Sequence, residues 1–235
     1  MSVVEFKSEE RIPFVLKDDG HWKEFEKSAE LIPMINPINY EFKTNIETTK
    51  VRARPISCYS DSFVLEVKDE NWKEDWAVFY YLYSNGKYFQ LGSIDDELWS
   101  VNELAALNLK KHTLFDYIKL WGYFYFVDEY GSRFAIEGPE SEFIEFITYS
   151  NEMDKIRILD KLKPPEVKGP DGNGAFHIEC NVLTEDELSR FKVKVTKEGY
   201  LELLEFLILV PGQEGIFNNV DMPNVVLEGN NEDTE

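Results

Sequence analysis

Cysteine and histidine are nearly missing from this chain. Cys58 and Cys180 are its two cysteines, far apart and without a C-x-x-C, and His21, His112 and His177 are its three histidines. A closed zinc or iron–sulfur site draws its ligands mainly from those two residue types at short spacings, so no metal or other cofactor is expected unless carboxylates supply most of the ligands. Nothing in the cysteine spacing indicates a disulfide, which fits a reducing compartment. Cations are scarce too: 25 Lys and Arg stand against 45 Asp and Glu, for a net charge of -20. Phosphate backbones and anionic lipids are gripped by Lys and Arg, so direct binding to nucleic acid or to a membrane surface is not expected. No apolar run reaches the length of about 18 residues that a membrane helix requires. The opening MSVVEFKSEERIPFVLK has acids where a signal peptide needs a basic start and an apolar middle, so the expected location is the cytoplasm. Nucleotide and hydrolase signatures are also lacking: there is no GxxxxGK[ST], no GxGxxG after a strand and no GxSxG. Gly169, Gly172 and Gly174 lie in a loop without the strand-to-helix setting of a phosphate cradle.

What is present is aromatic and β-forming. Hydrophobic residues make up 43% and aromatics 14%, enough for a real core in 235 residues. The chain organises around Trp76 to Glu137. Trp76–Tyr83 is apolar on both faces, as a central strand is, and Asn85-Gly86 joins it to Lys87–Leu91; Asn-Gly between two such runs is a strong hairpin signal because both turn positions take φ > 0. Ser93 with Asp96 resembles a capping box, followed by the stripe Ile94, Leu98, Val101, Leu104 and Ala105. A second helix is expected over 113–122, opened by Thr113 with Asp116 three residues on. Gly122 then ends it, and Tyr123–Val127 and Arg133–Glu137 form a second hairpin.

Before this block, Trp22, Phe25, Ala29 and Ile32 recur at helical spacing, and residues 40–68 read as three strands. Arg52 and Arg54 share one strand face, read as cross-strand partners for carboxylates, and Pro55 marks that strand as an edge or bulged one. After the block, Ser141–Thr148 reads as a short helix, Lys155–Leu162 as a strand, and Pro164 to Gly174 as a loop or hinge. Phe176–Val182 and Phe191–Val195 alternate cleanly. Tyr200–Val210 reads as a returning strand, although Tyr200, Leu203, Leu204 and Leu207 also fit helical spacing. From Pro211 onward there is no Lys or Arg, and a mostly disordered acidic tail over 211–235 is expected. The fold class is therefore α+β: a mostly antiparallel sheet built from hairpins, covered by a few helices, as one domain over 1–210, the alternative being two lobes hinged near 164–174. The two aromatic hairpins are expected to knit a single sheet.

His177-Ile178-Glu179 matches the H-x-E of zinc deaminases, but the P-C-x-x-C that completes that site is missing. Among 45 acids some close carboxylate pair arises by chance, so no paired-acid mechanism is inferred. Cys180 lies in an apolar stripe and behaves as a small hydrophobe. No catalytic residue is assigned. The candidate binding residues are aromatic: Trp72 and Trp99, each flanked by polar or charged neighbours, and Tyr83, Tyr88, Tyr123 and Tyr125, which would line a pocket.

The segment from about Phe79 to Glu137 resembles a group of uncharacterised bacterial proteins. The residues that carry this are Val101-Asn102, Leu107–Leu109, Phe115-Asp116-Tyr117, Phe124–Val127 and Phe134–Glu137. The resemblance implies a bacterial origin and a shared hairpin–helix–hairpin unit, with no activity attached. The acidic stretch before Val101 departs from the Pro-rich turn of that group. Three functions are weighed: an acidic, non-enzymatic interaction protein of inhibitor, immunity or adaptor type with a basic or complementary protein partner; a small-molecule binder or enzyme with an aromatic-lined pocket; and a nucleic-acid mimic. Oligomeric state is left open.

Overall fold

The computed structural model describes residues 14–16, 18–26, 28–34, 42–72, 77–92, 98–125, 127–128, 131–132, 134–141, 144, 147–149, 152–183, 187–210 and 217–220. These fall into two compact units divided between Ala106 and Leu107. The fold class is α+β and mostly antiparallel, but each unit carries its own five-stranded sheet, so the expected single sheet is two.

The first unit contains β1 (Lys23–Glu24), α1 (Ser28–Leu31), β2 (Thr49–Pro55), β3 (Phe63–Asp69), β4 (Phe79–Ser84), β5 (Lys87–Gln90) and α2 (Leu98–Leu104), and its five strands pair in chain order. The expected helix over 22–32 shrinks to α1 and a single 3-10 turn at Ile32–Met34. Lys23 and Glu24 instead pair with Ala53 and Arg52, and the Phe25 N–H donates to the Val51 carbonyl, so backbone pairing overrides the helical spacing. Between 42 and 69 there are two strands rather than three, β2 and β3, in register from Thr49↔Asp69 to Pro55↔Phe63. Because Val51 turns its carbonyl toward β1, Pro55, four residues on, directs its missing N–H to that same side, where β1 has already ended.

β4 is buried along its whole length, as a central strand with two apolar faces should be. Asn85 (φ 51°) and Gly86 (φ 76°) make the expected tight turn into β5. One face of the sheet presents Val51, Ala53, Leu65, Val67, Phe79, Tyr81 and Tyr83 to Phe25, Leu31, Ile32, Phe42 and Trp72, forming one apolar core. The other face carries Arg52, Arg54, Glu66 and Tyr80. Ser93, Asp96 and Trp76 lie outside the described residues.

The second unit contains α3 (Leu114–Phe124), β6 (Val127–Asp128), β7 (Gly131–Ser132), β8 (Phe134–Ile136), β9 (Ile147–Tyr149), α4 (Glu152–Leu159), β10 (Glu166–Lys168), β11 (Phe176–Leu183), β12 (Leu188–Val195), β13 (Leu201–Val210) and β14 (Phe217–Val220). Its sheet runs β10-β11-β12-β13, and β8 shares the β10 side of β11: β10 pairs with His177–Glu179 and β8 with Asn181–Leu183. The expected second aromatic hairpin is therefore corrected. Tyr123 and Phe124 continue α3 past Gly122, β6 pairs with β7 over two residues each, and β8 leaves to join β11.

Thr113 makes no side-chain cap on α3. Its hydroxyl accepts from the Lys110 N–H, and Asp116 is buried rather than capping. Two further readings change: Lys155–Leu162 belongs largely to α4, and Ile147–Tyr149 is a strand paired with β14. Glu166–Lys168, inside the Pro- and Gly-rich stretch, is β10. Within the stretch read as an acidic tail, Phe217–Val220 forms β14, and the rest of it lies outside the described residues.

α3 is tied to the β12–β13 turn by one buried bond, in which the Tyr117 hydroxyl donates to the Gly199 carbonyl at 2.6 Å. Tyr117→Phe removes that donor and leaves the carbonyl dry. The expected loss is about 1–2 kcal/mol of the second unit's stability, measured by urea unfolding, with no change in secondary structure.

Candidate functional site

The aromatic candidates are divided between the two units. Trp72 is buried against Phe42 and Phe79, with ring centroids 5.6 and 5.3 Å away, and its Nε1–H donates to the Lys43 carbonyl at 2.9 Å. Tyr83 is buried and Tyr88 half-buried; their rings lie 4.9 Å apart on the core face of the first sheet. Burial, followed by the Tyr83 and Glu30 charges, pushes the Tyr88 hydroxyl up to about 12, so it stays neutral. Tyr123 and Tyr125 belong to the second unit, Tyr123 buried within α3 and Tyr125 half-buried at its end. The backbone of Trp99 lies in α2; its side chain is outside the described residues.

The polar face of the first sheet does hold a concavity, of about 650 Å³, lined by Glu24, Thr49, Lys50, Val51, Arg52, Glu66, Lys68 and Glu70. None of the four candidate tyrosines lines it. Its charges are largely satisfied within the chain. Arg52 donates to Glu66 through Nε at 2.9 Å and through Nη2 at 2.8 Å, reaches Asp18, and sits 5.7 Å from the Trp22 ring centroid. Lys50 pairs with Glu70. Beside it, the fully buried Arg54 donates to both oxygens of Asp19, at 2.5 and 2.9 Å, and holds that carboxyl well below the usual carboxylate range. The arginines thus find carboxylate partners, as their spacing suggested, two of them from the segment before β1 rather than across the sheet.

In the second unit, His177 is half-exposed, with Nε2 3.6 Å from Asp171. Backbone N–H groups of Ala175 and Asn173, more than the histidine, hold the Asp171 carboxyl low. Glu179 is taken by Arg190, which donates from Nε at 3.1 Å and keeps it ionised. The H-x-E pair therefore has each member engaged elsewhere. Burial pushes the Cys180 thiol up to about 12, which leaves no thiolate for attack. Among the described residues no group of three or more His, Cys, Asp or Glu side chains is placed to hold a metal ion, and no helix is long and apolar enough to cross a membrane.

The feature that stands out chemically lies in Tyr200–Val210, where a returning strand is expected and helical spacing also fits. Among the described residues β13, with the sequence LELLEFLILV, is the outer strand of the second sheet and pairs on one side with β12. Leu203, Leu204, Phe206, Leu207 and Ile208 are all exposed, Phe206 at 61% and Leu207 at 63%. On the same strand, Glu202 and Glu205 accept from Lys194 and Lys192 at 3.2 and 2.5 Å. The signal was there: apolar residues at 203, 204 and 206–209 exceed what period-two alternation can bury on one face. Proteins rarely leave so long and apolar an edge open, because its free N–H and C=O groups template pairing with another strand.

No family model, curated protein or solved structure matches this chain, so its function is read from the structure alone.

Proposed function

We propose that the chain is a non-enzymatic protein-interaction protein of the inhibitor, immunity or adaptor kind, and that it engages protein through the β13 edge. The observation that carries this reading is the row of exposed apolar side chains along that strand. Strand addition gives affinity through main-chain hydrogen bonds and specificity through alternate side chains, and it asks for an edge of this kind. The quiet chemistry elsewhere is consistent with it: His177 beside Asp171, the buried Cys180 thiol and the arginine–carboxylate pairs are in structural settings. A small-molecule reading would have to use the charged concavity on the first sheet, where Lys50 and Arg52 already have carboxylate partners.

The test is affinity capture from the native host, with the full chain and its Leu207→Lys variant as bait, each at two salt concentrations. A stoichiometric protein retained by the wild type and at least ~10-fold depleted with Leu207→Lys is expected. Recovery of small molecules alone, or of the same protein by both baits, overturns the reading.

A further inference from the structure

The strand that carries the proposed function also indicates what it pairs with. Resting on that reading, we infer that β13 is occupied by β13 of a second copy of this chain, antiparallel across a two-fold axis, so that the two sheets continue into one.

Charge favours this occupant. The chain as a whole is at -20, which would draw in a basic partner, but the β12–β13 hairpin is not where that charge resides. Within the hairpin Lys192 pairs with Glu205, Lys194 with Glu202 and Lys197 with Glu198, while Arg190 is taken by Glu179 of β11, so the hairpin is close to neutral. A basic strand gains little here, and a second copy is not repelled where it docks.

Register favours it too. Two identical antiparallel strands related by a two-fold must set one residue opposite itself. The regular part of β13, Glu205 to Ile208, lies between two ladder irregularities. Centring on Glu205 would oppose two like charges. Centring on Phe206 sets Phe206 against itself, Glu205 against Leu207 and Glu202 against Val210, so no carboxylate meets another across the new ladder. The paired strands would also set exposed apolar side chains side by side, Leu204 with Ile208 and Phe206 with Phe206.

The test is light scattering of the full chain at tens of micromolar, combined with hydrogen exchange of those β13 amides that point away from β12, for wild type, Leu207→Lys and Leu204→Lys. The expected wild type has twice the chain mass and β13 amides protected at least ~10-fold over either variant, and both variants are folded monomers. Phe206→Cys, with Cys58 and Cys180 buried, should cross-link to a covalent dimer on mild oxidation. Raising salt should tighten the association, because screening relieves repulsion between two acidic chains, whereas a basic partner would be released. A monomer with freely exchanging β13 amides overturns the second copy and leaves the edge open to another protein. A monomer in which the β13 amides that point away from β12 are protected overturns both, since the chain then covers its own edge. A dimer that survives both lysine variants overturns the inference.

Discussion

Replacing Trp72 with alanine is expected to destabilise the first unit by roughly 4 kcal/mol and to leave the association of the folded chain unchanged. Trp72 packs edge-on against Phe42 and Phe79, which also meet edge-on with centroids 5.6 Å apart, so the three rings form a closed set. Removing the indole opens a void that the two phenylalanines, held by the sheet and by each other, cannot fill. It also takes away the donor to the Lys43 carbonyl. Aromatic-to-alanine changes in cores cost about 3–5 kcal/mol, and each ring pair adds about 0.5–1.5 kcal/mol beyond area. Against a domain stability of about 5–15 kcal/mol this is a large fraction. Trp72→Phe, which refills most of the volume, is expected to recover more than half. Urea unfolding followed by circular dichroism measures the loss. An interface role for Trp72 would give the opposite result, with weakened association at full stability.

This residue shows what the sequence could and could not say. Its polar neighbours, Asn71 and Lys73, suggested exposure, yet Trp72 lies on the core side of the chain as it leaves β3. Neighbours in sequence report the local period; they do not report what a turn folds back onto. The same distinction runs through the fold. The β4–β5 hairpin was legible because Asn85 and Gly86 encode a two-residue turn locally. β11 and β12 were legible because apolar residues keep to one face while His177, Glu179, Asn181, Arg190, Lys192 and Lys194 keep to the other. The hairpin expected after α3 was not, since Tyr123 and Phe124 suit a strand and a helix equally well and packing keeps them helical. That β8 pairs with β11, 45 to 49 residues on, is a long-range choice that no local pattern records. The β13 edge was half legible: the apolar surplus could be counted, but that no described element covers it is a fact of the assembled sheet.

Asp69→Ala should cost the first unit about 3–4 kcal/mol at neutral pH and flatten its stability curve in acid. The carboxylate closes the far end of the β2–β3 ladder. Its Oδ2 accepts from the Thr49 hydroxyl at 2.5 Å, the Thr48 hydroxyl at 2.9 Å and the Asn45 N–H at 3.2 Å, while Oδ1 accepts from the Asn71 N–H at 2.8 Å. Burial alone would raise this acid. The bonds from Thr49, Asn71, Thr48 and Asn45 outweigh burial and hold it below the ordinary carboxylate range. Since the folded pKa is depressed, the stabilisation is complete above the unfolded value of about 3.9 and is lost as pH falls through the folded one. Wild type should therefore lose stability steeply below about pH 4, and the alanine variant less so, the two curves converging in acid. Asp69→Asn isolates the charge, because it keeps one acceptor oxygen without the titration; it should fall between the two at pH 7 and share the flatter acid limb. Urea unfolding at intervals from pH 7 to pH 3 checks the sign, and parallel curves for all three proteins would mean that Asp69 does not titrate with folding.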